Sequence, residues 1–157
     1  MSAAASAKDH ATPRVVVGVD GSPQSYAALR WAVEHAHRIA ARVHAVAVCS
    51  PPASASGSLA GAIMTTYATL GDDAARAEAQ QRLDTALLQV PDEAVELVDH
   101  IVVGGDAATA LLDAARNAEL LVLGNPARGA LAAVVLGSTA LRCVHHADCP
   151  IVLVPAA

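Results

Sequence analysis

Residues 14–36 read RVVVGVDGSPQSYAALRWAVEHA, and the change of rhythm inside this stretch decides the fold class. The run from Arg14 to Gly21 is apolar and β-branched and closes on Asp-Gly, the mark of a strand buried on both faces. Ser22 and Pro23 then supply a helix N-cap and a proline at the first helical position. From Gln24 to Ala41 the apolar residues Ala27, Leu29, Trp31, Ala32, Val33, Ala36, Ile39 and Ala40 keep helical spacing.

The same alternation continues downstream. Val43 to Cys49 reads as a second strand ended by Pro51 and Pro52. The uncharged, Ala/Ser/Gly/Pro-rich segment from Ser50 to Leu70 reads as a long loop: a lid, a dimer contact or a plain surface connection. Asp72 to Leu88 has the pattern of a helix marked by Leu83, Leu87 and Leu88. Val95 to Val103 reads as a third strand, with a turn at Gly104-Gly105 and Asp106 capping a helix through about Asn117. Leu120 to Asn125 is a fourth buried strand, and Gly137-Ser138 opens a helix through about His146. Pro150 leads into a fifth strand. Strands alternating with helices imply right-handed βαβ units and an α/β, doubly wound parallel sheet with helices on both faces. The expected organisation is a tail over residues 1–12 and one domain over 13–157.

Composition narrows the function classes. The 157 residues are 54% hydrophobic but 2% aromatic, so the core is aliphatic and no base-stacking platform can be assembled. A net charge of −5 and the lack of a basic stripe argue against nucleic acid. Charged residues make up 16%, too few for a disordered chain. Cys49, Cys143 and Cys149 form neither a disulfide framework nor a zinc spacing and read as small core residues. The opening MSAAASAKDHAT has no apolar signal core, and prolines, serines or short length break each candidate membrane span. The expected compartment is the cytoplasm, with no membrane partner.

In a doubly wound sheet a ligand binds beyond the carboxyl ends of the strands, where the strand order reverses. The glycine-rich strand ends follow the first and fourth strands. If those strands are neighbours, Asp20 and the segment from Gly124 to Ser138 face one crevice. Gly124 to Gly129 has the spacing of a Walker loop, but Ala130-Leu131 stand where that motif needs Lys and Ser or Thr. No GxGxxG follows a strand, and the Asp20 segment lacks the partner acid of a phosphatase nucleophile strand. What remains is a binding constellation. Backbone N–H groups at Gly137-Ser138-Thr139 form an anion site. Asp20 can hold a ribose hydroxyl, an adenine edge or a metal carrying phosphates, or can simply form the turn that caps the first helix. Simple N-capping would equally account for Ser138. His35 and His37, and His145 and His146, are too close in sequence to share a metal, so no metal ligand is assigned.

Taken together, VVVGVDGSPQSYAALRWAVEHA, VVGGDAATALLDAARNAELLVLG and VVLGSTALRCVHHADCPIVLVP resemble the universal stress protein family from Arg14 to Pro155. The resemblance implies strand order 3-2-1-4-5, with the first and fourth strands at the switch point. It also implies a homodimer formed by antiparallel pairing of the last strands, here Ile151 to Val154. ATP-binding members carry a pattern G-x2-G-x9-G-[ST], which Gly124, Gly137 and Ser138 match and Ala127 does not. By the same resemblance Asp20 contacts adenosine, Val48 offers its backbone to adenine, and Gly129 and Thr139 lie along the phosphates. Val19, Val48 and Leu123 would line an aliphatic slot for the base. A Cβ at Ala127 strains any φ > 0 there, Pro126 lacks an N–H, and Arg128 is the cation available for a phosphate.

The expected function is therefore a dimeric stress-response module that regulates by binding ATP, with or without magnesium, and is not an enzyme. Two alternatives stand beside it. One is an interaction protein of the same fold that does not bind nucleotide, favoured by Pro126 and Ala127. The other is a very slow ATPase using Asp20 as a metal ligand.

Overall fold

A computed structural model of the chain describes residues 12–49, 59–126 and 136–156, and the side chains of all of these except 59–72. The expected tail falls almost wholly on residues outside this set. Ten elements follow in chain order: β1 (Arg14–Gly18), α1 (Pro23–Arg38), β2 (Arg42–Cys49), α2 (Leu59–Leu87), α3 (Asp92–Val95), β3 (Val98–Gly104), α4 (Ala107–Ala114), β4 (Leu120–Asn125), α5 (Ser138–His146) and β5 (Ile151–Pro155). The strands form one parallel sheet in the order β3-β2-β1-β4-β5, as the resemblance implied.

The alternation of side chains along β1 explains the layers. Val15 and Val17 pack with Leu29, Ala32 and Ala36 of α1 and Leu83 of α2. Val16 points the other way, to Ala108 and Leu111 of α4 and Ala140 and Cys143 of α5. All three valines are fully buried, which is why the segment reads as a continuous apolar run. The core is aliphatic throughout: Leu29, Leu83 and Leu121 are the largest fully buried side chains. All three cysteines are free thiols, two buried and Cys149 half-buried, and burial pushes the Cys143 and Cys149 thiols up. Among the described residues no helix is long and apolar enough to cross a membrane.

Several boundaries differ from the sequence expectation, each for a local reason. β1 stops at Gly18 because Asp20 turns the chain and Gly21 takes φ +87°. α1 stops at Arg38 rather than reaching Ala41. Ala40 adopts a left-handed φ of +53°, and the Ala41 N–H reaches back to the Ala36 carbonyl in a Schellman-type turn. The expected loop from Ser50 to Leu70 is corrected from Leu59 onward, where α2 begins; its earlier part lies outside the described residues. The prolines and all the serines of that segment lie before Leu59, and from Leu59 onward helix formers such as Ala, Leu and Met prevail. Leu88 lies past the end of α2 and is 83% exposed, so it is not part of the apolar face. Val95 belongs to the one-turn helix α3, which Pro91 starts and Asp92 and Glu93 favour at its positive end. α4 ends at Ala114, three residues before the left-handed Asn117.

Gly124, near the end of β4, fixes how closely α1 approaches the sheet. A Cβ built there would stand 2.7 Å from the backbone carbon of Gln24 and 2.8 Å from its carbonyl oxygen. Backbone cannot move aside as a flexible side chain can. Gly124→Ala is therefore expected to lower stability by about 1–3 kcal/mol, the range for overpacking a close contact. Urea denaturation measures this, and an unchanged midpoint would contradict the contact.

Candidate functional site

β1 and β4 pair in register, Val15 with Leu120 through Val17 with Val122, and the chain leaves the two strands in opposite directions across the sheet. This is the switch point, and a cavity of about 270 Å³ opens there. Eight of the ten sequence-assigned site residues line it: Val19, Asp20, Val48, Leu123, Gly124, Gly137, Ser138 and Thr139. The other two, Arg128 and Gly129, lie outside the described residues, as does Ala127.

The acidic end is built by the turn after β1. The Val19 N–H still bonds the Val46 carbonyl at 2.8 Å, and beyond it the chain departs from the sheet. The Asp20 carboxylate accepts hydrogen bonds from the Ser22 backbone N–H (2.9 Å) and the Ser22 hydroxyl. Crowding by neighbouring atoms pushes the Asp20 pKa up, but these hydrogen bonds, with one from Ser25, outweigh it and hold the carboxyl below its ordinary value. Asp20 is thus a charged acceptor near neutral pH. The cap of α1 is Ser22, whose hydroxyl accepts from the Ser25 N–H at 3.2 Å. Asp20 orients that cap rather than replacing it.

The opposite wall is the start of α5. Gly137 stands at its N-cap with φ −56° and ψ 152° and makes no side-chain cap bond. Among the described residues the first N–H groups of α5 therefore present free donors and the positive end of the helix dipole. A Cβ at Gly137 would meet nothing within 4 Å among the described residues, and its φ is one that any residue adopts. Packing requires Gly124; among the described residues neither packing nor backbone geometry requires Gly137. What Gly137 leaves open is space beside the N–H groups, which fits an anion approaching them.

Asp106 caps the third helix that touches the cavity, α4, accepting from the Thr109 N–H at 3.0 Å. Its carboxylate also accepts from Arg142 of α5 at 2.8 Å, tying the start of α4 to the middle of α5. Hydrogen bonds from the Thr109 N–H and hydroxyl, with Arg142, hold Asp106 below the usual carboxylate range. Ala107 and Leu111 of α4, together with Gly18 and Val46, complete much of the wall and were not singled out in the sequence, whereas Pro126, noted there for its missing N–H, also lines the cavity. Gly18, a glycine inside a strand, was the legible signal: a Cβ there would lie 3.1 Å from Leu123 and 3.3 Å from Leu111. Among the described residues, no group of three His, Cys, Asp or Glu is placed to hold a metal ion. His35 instead stacks on Trp31, with ring centroids 4.9 Å apart.

Comparison with known proteins agrees with this fold. A universal stress protein from Mycolicibacterium smegmatis is 31% identical over 140 residues, covering 89% of this chain and 47% of that protein. The chain thus spans about half the length of that relative. The UspA universal stress protein from Lactobacillus plantarum superposes with a TM-score of 0.70 at 24% identity, covering 92% of this chain and 99% of that one. A universal stress protein solved in complex with cAMP superposes with a TM-score of 0.57 at 25% identity, covering 94% and 99%. The model of the universal stress protein family matches residues 12–155, and the chain belongs to that family.

Proposed function

We propose that the chain is a dimeric regulatory module that binds an adenine nucleotide, ATP, at the switch point between β1 and β4. The observation that carries this reading is the open space at Gly137 beside the uncapped start of α5, across the cavity from Asp20. A nucleotide needs both ends. Ribose hydroxyls donate, and Asp20 is a charged acceptor; phosphates accept, and the N–H groups and hydroxyls of Ser138 and Thr139 donate. Val19, Val48 and Leu123 supply the aliphatic slot for a base, in a chain with too few aromatics to stack one. The cAMP complex of a similar protein supports an adenine nucleotide as the ligand class.

Magnesium carried by the phosphates would meet a single carboxylate at the cavity, Asp20, among the described residues. The carboxylate of Asp20, the titratable side chain lining the cavity among the described residues, is engaged by Ser22, and we assign binding rather than hydrolysis. Pro126 favours a second reading, in which the fold acts without nucleotide, because it lines the cavity and has no N–H to donate.

Titration calorimetry of the nucleotide-stripped protein with ATP separates the two readings. Saturable heat is expected, and Gly137→Ala should weaken binding by about tenfold, as expected when a methyl group crowds a close contact. Its folding midpoint should stay unchanged. No heat at high micromolar protein, with no nucleotide co-purifying in mass spectrometry, would favour the second reading.

The dimer reading rests on the sheet edge. β5 is an outer strand, and Ile151 to Val154 are all half-buried in the single chain. An uncharged β-branched edge with unmatched N–H and C=O groups favours pairing with a second copy. Light scattering should give the mass of two chains, and Val152→Lys should give the mass of one. A wild-type monomer at all concentrations would overturn the pairing.

A further inference from the structure

At the end of the sheet away from the switch point, four charged or titratable side chains occupy adjacent register positions. Arg14 of β1 stands beside Arg42 of β2, and His44 of β2 stands opposite Asp99 of β3. Alternation along the strands puts all four on the face covered by α4, the face of Val16 and Val46. His100 lies on the other face, with Val102. Arg14 and His44 line a groove of about 500 Å³ between the sheet and α4.

The acids facing His44 are already engaged. Asp99 accepts two hydrogen bonds from Arg42, of 2.8 and 2.6 Å, and its Oδ2 lies 3.4 Å from Nε2 of His44. Across the groove on α4, Asp113 pairs with Arg116 at 3.0 Å and Asp106 with Arg142 at 2.8 Å. Glu119 lies beyond Arg14, exposed, with its N–H on the Arg14 carbonyl at 2.8 Å. A proton on His44 would set a third cation, beside Arg14 and Arg42, against one carboxylate. Burial and then Arg14 disfavour the charged imidazole, Asp99 offsets only part of this, and His44 is held below the ordinary histidine value. Of the two arginines, Arg14 is the one free to yield. Arg42 is held by a carboxylate, whereas Arg14 donates from one terminal nitrogen to the Arg116 carbonyl, and its Nε is enclosed without an acceptor. The Arg14 bond ties the turn after α4 to the start of β1.

We propose that His44 is a proton-operated release for the turn that follows α4. At neutral pH the imidazole is uncharged and the tie holds. In mildly acidic solution the charged imidazole repels Arg14, Arg14 leaves the Arg116 carbonyl, and the turn at Arg116 and Asn117 comes free of the sheet. The release sits at the opposite end of the sheet from the switch-point cavity and does not depend on the nucleotide reading.

An NMR titration of the full chain from about pH 8 to about pH 5, a range that brackets an ordinary histidine, tests the proposal. The His44 imidazole should titrate below the ordinary value of about 6.5. The Arg116 and Asn117 amides should shift with the same midpoint. Arg14→Gln should raise the His44 midpoint and abolish those amide shifts. Arg30→Gln, the same change of charge on α1 across the sheet, should do neither. His44→Gln should also abolish the amide shifts. As pH falls, the unfolded chain takes up this proton before the folded one, so stability is lost through the window between the two midpoints. Urea denaturation should therefore show the wild type losing stability relative to His44→Gln as pH falls below about 6.5, with the loss levelling off below the His44 midpoint. The wild-type titration decides the matter if a variant fails to fold. A His44 midpoint at or above the ordinary value, amides that move with a different midpoint, or equal effects of Arg14→Gln and Arg30→Gln would each overturn the proposal.

Discussion

The close approach of α1 to β4 governs the geometry of this protein. Gly124 has no Cβ, so the backbone of Gln24 sits where a methyl group would otherwise stand. That contact draws the start of α1, and with it the Asp20–Ser22 turn, against the end of β4. The parallel register of β1 with β4 then brings the turn opposite the start of α5. A larger residue at position 124 would lift α1 and widen the gap between the acceptor at Asp20 and the donors at Ser138 and Thr139.

Two glycines of one sequence pattern thus serve different physical ends. One permits the packing of the fold, and the other leaves room at its mouth. The distinction matters because a pattern match alone treats them alike. The wall formed by Asp20, Val48, Leu123 and the start of α5 is set by sheet register and helix placement among the described residues.

The strands and their parallel arrangement were legible because β1, β2 and β4 are apolar on both faces and the helices between them carry caps such as Ser22 and Asp106. Both caps form the hydrogen bonds expected of them. The strand order was not legible from periodicity and came from family resemblance. Misread segments had physical causes. The uncharged start of α2 looked like a loop because its neighbours before Leu59 are rich in Pro and Ser, and α3 is too short to show a period. At the site, residues next to turns were found, whereas Ala107 and Leu111 were not. Which helix crosses which strand end is a property of the folded sheet. That Arg14 would reach the Arg116 carbonyl was equally invisible, since nothing in sequence tells which groups the folded sheet brings together.

The most direct measurement is the amide NMR spectrum of the stripped protein during addition of ATP. Nucleotide held at the switch point predicts saturable shifts of the Ser138 and Thr139 amides together with those of the Asp20–Ser22 turn, while Asp113 and Ala114 stay in place. Unchanged Ser138 and Thr139 amides at saturating ATP, or shifts confined to the far side of α4, would contradict it.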